Sequence, residues 1–177
     1  MFTLAPLARP SKLAPDVADP SSSPTLVPSE LVDFFEGGVS LLVGTCDEGC
    51  KPESTRAVGA CVGADRAHLT VYLNQVNSVR TVANLAVNPR VAICFTRPID
   101  HRTIQVKGRA LKVRQTLDTE KPRLERYISA FCEALYLVGV TRAVGGRLAY
   151  WPSQAVEIEI ESLFAATPGP GAGERLK

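Results

Sequence analysis

TRAVGACVGADRAHLTVYLN, residues 55–74, holds two runs of strand length around one tight turn. Gly63-Ala64-Asp65-Arg66 supplies the turn, since glycine and aspartate tolerate the backbone angles a reversal needs. In the second run His68, Thr70 and Tyr72 alternate with Leu69, Val71 and Leu73, the period of two that places one face of a strand in a core. Two such strands joined by a short turn pair antiparallel, and the segments on either side extend the pattern. Upstream, VSLLVGT (residues 39–45) is a short apolar run ending in the polar turn CDEGCKP. Together these make an antiparallel meander of three strands.

The spacing then changes from two to about 3.6. Ser78 is placed to cap a helix, with Val79, Val82, Leu85 and Ala86 on one side, and Asn88-Pro89 stops it. Two more strands follow, RVAICFT and the long HRTIQVKGRALKVRQT, where Gly108 marks a bulge or barrel corner. Lys121 to Val138 has the spacing of an amphipathic helix, with Leu124, Tyr127, Ile128, Phe131 and Leu135 on one side. The last strand alternates Val156, Ile158 and Ile160 with Glu157, Glu159 and Glu161. A short helix over residues 29–36, with Ser29 as its N-cap, precedes the first strand. The expectation is a mainly β fold with minor α. It is a six-stranded antiparallel split β-barrel with one short inserted helix and a longer late helix.

At 177 residues the chain suits one domain with a substantial core. Residues 1–28 carry six prolines and a serine run and read as a flexible arm. The domain is expected over 29–165, and the glycine- and proline-rich 166–177 as an irregular tail. A formal net charge of +2 provides no broad basic field for nucleic acid. No apolar stretch is long enough for a membrane span. The first residues, MFTLAPLARPSKLAPD, lack a charged start leading into an apolar run, so a cytoplasmic protein with five reduced cysteines is expected.

The order of these segments resembles the pyridoxamine 5'-phosphate oxidase-like split barrels. That family carries a basic strand R-x-V, an aromatic-x-Asn strand end, a Ser-x-Lys/Arg helix start, an Asn-Pro stop, and a strand R-x-x-x-V-x-G. Here these read Arg56-Ala57-Val58, Tyr72-Leu73-Asn74, Ser78-Val79-Arg80, Asn88-Pro89 and Arg102 to Gly108. The resemblance covers roughly residues 31–163, and its strength lies in the order of the pieces rather than in any one of them. It implies FMN, with the phosphate held by Arg56, Ser78, Arg80 and Thr81. Planar guanidinium groups and helix-start amides suit such a dianion. It also implies Val58, Tyr72 and Leu73 beside the ring or ribityl chain, and Thr103 and Gln105 on the strand facing it. A homodimer with the flavin at the subunit interface follows, with Trp151 approaching the partner's flavin.

The implied activity is that of an FMN-dependent oxidoreductase acting on a small molecule through hydride transfer. A non-catalytic flavin- or haem-binding protein, or a reductase using a deazaflavin coenzyme, is the alternative. The oxidase proper is disfavoured: Thr103 stands where it has glutamine, the Asn74–Ser78 spacing is one residue longer, and the ending GERLK lacks a nearby tryptophan. His101 is a weak candidate for proton transfer. Cys46 and Cys50 flank one turn, and no second paired spacing completes a zinc site, so no metal is expected.

Overall fold

The computed structural model describes residues 25–176. In chain order the elements are α1 (Ser29–Glu36), β1 (Ser40–Cys46), β2 (Pro52–Val62), β3 (His68–Asn74), α2 (Val79–Val87), β4 (Arg90–Thr96) and β5 (Thr103–Gln115). A 3-10 turn (Asp118–Glu120) leads into α3 (Lys121–Leu137). Then come α4 (Arg142–Gly145), β6 (Ser153–Ala165) and β7 (Arg175–Leu176). The sheet order is β3-β2-β1-β4-β5-β6, every pair antiparallel, and β3 also pairs with β6. That last pairing closes a six-stranded barrel and leaves neither β3 nor β6 as a bare edge.

Alternation sets what faces inward. Val156, Ile158 and Ile160 enter the core, joined by Leu41, Val43, Leu69, Val71, Ile93 and Val106 from the other strands. Phe35 of α1 is buried in the same core, its ring centroid 4.3 Å from that of Phe95. Each such side chain contributes about 1.5–3 kcal/mol on leaving water. Leu85 brings α2 against the same core.

Two irregularities aim the outer face. The β5–β6 register shifts between Lys107 and Gly108, where a Cβ on Gly108 would lie 2.3 Å from the Glu159 carbonyl oxygen. Only glycine lets the two backbones approach so closely there. The β2–β3 register shifts between Ala57 and Gly59. On the outer side of that bulge Val58, Tyr72, Leu124 and Ala155 form a second apolar cluster, with α3 laid over it.

Three expectations need correction. Pro28, not Ser29, takes the N-cap position of α1, and the Ser29 hydroxyl points to Glu30 within the helix. Ser78 does not cap α2 with its side chain; its hydroxyl donates to the Asn74 carbonyl at 2.7 Å. The tail is not wholly irregular, because β7 pairs with Leu163 and Phe164 of β6. The expected arm over 1–28 lies outside the described residues up to position 24. At its end Val27 is fully buried and its N–H donates to the Arg66 carbonyl at 2.8 Å.

Candidate functional site

The turn after β3 is built by Asn74. Its Oδ1 accepts the N–H groups of Val76 and Asn77, each at 3.1 Å, a local side-chain turn that reverses the chain. The Thr55 hydroxyl of β2 then donates to the Asn77 carbonyl at 3.2 Å, fastening the turn and the start of α2 to that strand. The first-turn N–H groups of α2 begin beside buried Ser78. Within that turn the Thr81 hydroxyl is buried, at 1% exposure, and has no hydrogen-bond partner. A buried hydroxyl left this way costs about 1–3 kcal/mol.

Arg80, mostly exposed, places Nη1 3.3 Å from the Glu53 carboxylate. Glu53 lies on the strand that carries Arg56. Arg56 is exposed on the outer face, where its Nη1 donates to the Ser40 hydroxyl at 2.8 Å. Its guanidinium stands 5.7 Å from the centroid of the Phe131 ring on α3. Both arginines therefore work along the first half of β2. A surface pair such as Arg80–Glu53 is worth at most about 1 kcal/mol, so a dianion can displace it.

Val58 and Tyr72 sit together on the outer face but beneath α3, 5% and 1% exposed. The Tyr72 hydroxyl donates to Glu120 at 2.8 Å. Glu120 also accepts from two Arg114 nitrogens, at 2.7 and 2.9 Å, and from the Leu117 N–H at 2.8 Å. Arg114 bridges onward to Glu157 at 2.8 Å. Hydrogen bonds from Arg114 are the largest cause that holds the Glu120 carboxyl down at about 2. Burial, then the Glu120 contact, push the Tyr72 phenol well above its ordinary range, so it stays protonated. Leu73 points the other way, into the barrel core. Trp151 packs against the Val58–Tyr72 cluster of its own chain, with the Lys121 ammonium 5.6 Å from its ring.

Thr103 and Gln105 lie elsewhere, on β5. The Thr103 hydroxyl is 3.0 Å from that of Thr96 and 2.9 Å from the His101 carbonyl, and Gln105 lies 3.5 Å from the Cys94 sulfur. Further along the same outer face a cleft of about 820 Å³ crosses β2, β1, β4, β5 and β6. Gly44, Cys46, Glu53, Arg90, Ala92 and Lys107 are among its lining residues. Glu53 links that cleft to Arg80. His101 is exposed in the turn before β5. Cys46 receives the Asn88 amide at 3.1 Å, while Cys50 is exposed across the turn. Among the described residues no group of three His, Cys, Asp or Glu side chains could hold a metal ion, and no helix is long and apolar enough to cross a membrane.

Residues 27–159, well over half of the chain, match the sequence pattern of the family described as pyridoxamine 5'-phosphate oxidase. The chain belongs to the pyridoxamine 5'-phosphate oxidase family. Among solved structures it is similar to the HupZ protein of Group A Streptococcus, with 17% identity and a TM-score of 0.52 over 84% of this chain and 100% of that one. A candidate pyridoxamine 5'-phosphate oxidase of Lactobacillus delbrueckii gives 17% identity and 0.51, over 79% and 94%. An F420 reductase gives 14% and 0.50, over 77% and 98%. At these identities the likeness is one of fold. No curated protein matches the chain by sequence.

For this member of the pyridoxamine 5'-phosphate oxidase family, two features of the site carry no local sequence signal. One is the contact of Tyr72 with the Glu120–Arg114 pair, since Tyr72 and Glu120 lie 48 residues apart in the chain. The other is the outer cleft, whose floor of Gly44 and Ala92 becomes one surface only when β1 pairs with β4.

Proposed function

We propose that the chain is an FMN-dependent oxidoreductase acting on a small molecule, working as a homodimer with the flavin at the subunit interface. The observation that carries this reading is the unpartnered Thr81 hydroxyl in the first turn of α2, a turn fastened to β2 beside Arg56. A phosphate there would meet helix-start amides, the Thr81 hydroxyl and two guanidinium groups whose present partners are weak ones, with the Ser78 hydroxyl turning to it from the Asn74 carbonyl. These donors fit the phosphate of FMN. Binding would draw Arg80 from Glu53 and Arg56 from Ser40, and both arginines are exposed enough to swing.

Bound FMN supplies the ring that accepts and returns a hydride, so the chain needs no nucleophile of its own. Its tasks are to hold the phosphate, orient the ring from the outer face of β2 and β3, and exclude water. Thr103 and Gln105 stand on β5, apart from the ring face of β2 and β3, and His101 is the candidate for passing a proton to substrate. Leu42, 48% exposed on the outer face of β1, supports a partner barrel packing there. The pairing would bring Trp151 toward the partner's flavin.

The test is the absorbance of protein reconstituted with FMN. Binding is expected, and Arg56→Ala combined with Arg80→Ala should abolish it. No binding, or binding undiminished in the double variant, overturns the reading. Steady-state oxidation of NADH or NADPH by the loaded protein separates an enzyme from a carrier.

A further inference from the structure

Helix α3 stands on residues that the FMN reading assigns to the flavin. Phe131 lies under the Arg56 guanidinium. Leu124 fills the cluster with Val58 and Tyr72, and Glu120, just ahead of the helix, takes the Tyr72 hydroxyl. Arg123 meets the Cys61 thiol of β2. Close approach is possible because the strand has Gly59 here; a Cβ at that position would lie 2.7 Å from a Leu124 methyl.

With α3 seated, Val58 and Tyr72 keep almost no surface that a ring could touch. The helix itself is held along one face. It fully buries Leu124, Tyr127 and Phe131, while Tyr136 and Leu137 in its last turn are exposed. Tyr127 adds one hydrogen bond, to the Val39 carbonyl at 3.0 Å. Among the described residues no backbone hydrogen bond joins α3 to a strand, though its backbone at Ala130 and Phe131 packs closely on Gly38, and an element outside the ladder opens more readily than a strand bound into it.

We propose that α3 is an intrachain cover, with helix and flavin ring competing for the same face of β2 and β3. Seating the ring lifts α3, and the Glu120–Tyr72–Arg114 hub is the latch that sets how readily it lifts. The inference rests on the FMN reading and concerns how the site is reached, which that reading leaves open.

Hydrogen exchange of the full chain with and without saturating FMN tests it, with flavin absorbance read on the same samples. Amides of residues 121–137 should exchange about tenfold faster in the loaded protein, as expected for an element shifted toward its open state by about 1.4 kcal/mol. Slower or unchanged exchange in a sample that has bound FMN overturns the cover while leaving the FMN reading standing, because α3 would then be a wall of the pocket. Absence of bound FMN removes both. As a second measurement, Glu120→Gln should raise the association rate of FMN, followed by quenching of flavin fluorescence. An unchanged or slower rate counts against the latch.

Discussion

Glu120 gathers donors from Tyr72, Arg114 and the Leu117 backbone, and its carboxyl titrates at about 2 instead of near 4.5. A carboxyl whose pKa falls on folding stabilises the folded state above its unfolded pKa. That contribution disappears as the pH drops through the folded value. Glu120→Gln should therefore cost about 2 kcal/mol at neutral pH. The gap from wild type should narrow as urea unfolding is repeated between pH 5 and pH 2. Thr81 makes the opposite case. Thr81→Val removes a buried hydroxyl that has no partner, so thermal unfolding of the flavin-free protein should show a gain of about 1 kcal/mol. The same change should weaken FMN binding about tenfold, measured by titration. Stability and binding moving in opposite directions is the mark of a group kept for a ligand.

At the scale of elements, the β5–β6 pair depends on one missing side chain. Gly108→Ala drives a Cβ into the Glu159 backbone carbonyl, which cannot swing aside as a side chain can. The cost should be about 3 kcal/mol, read as a lowered urea midpoint with an unchanged slope. This glycine was legible in the sequence, since it interrupts a long strand pattern. So was β6, whose isoleucines and glutamates alternate without a break. The destination of α3 was not. Helical spacing shows that Leu124, Tyr127 and Phe131 share a face, but not which surface receives it. Tyr72 illustrates the consequence: its alternation with Leu69, Val71 and Leu73 sets it on the other face of β3, and only the packed helix shows that this face is buried. The order of Arg56, Ser78 and Arg80 pointed to a phosphate site. The contacts that hold them, Glu53 for Arg80 and Phe131 for Arg56, depend on tertiary neighbours that local pattern does not encode.

At the scale of the molecule, closure through β3 and β6 removes two strand edges and leaves the outer faces as the surfaces available for association. Leu42 lies between Arg56 and Cys94 on neighbouring strands, beside the outer cleft. In the proposed homodimer it is an interfacial residue. Leu42→Glu should leave the circular dichroism spectrum unchanged and shift the mass measured by light scattering toward that of a monomer. Residues 25 and 175 lie close together. The Glu161 carbonyl accepts the Thr25 hydroxyl at 2.8 Å and an Arg175 nitrogen at 3.2 Å, so both ends converge on a single oxygen. A circularly permuted chain is therefore within reach. Joining residue 176 to residue 25 by a short glycine-serine linker, and opening the exposed turn at Glu48–Gly49, should yield a protein that melts within a few degrees of the original. The order in which the strands are synthesised would then be free to change while the barrel stays the same.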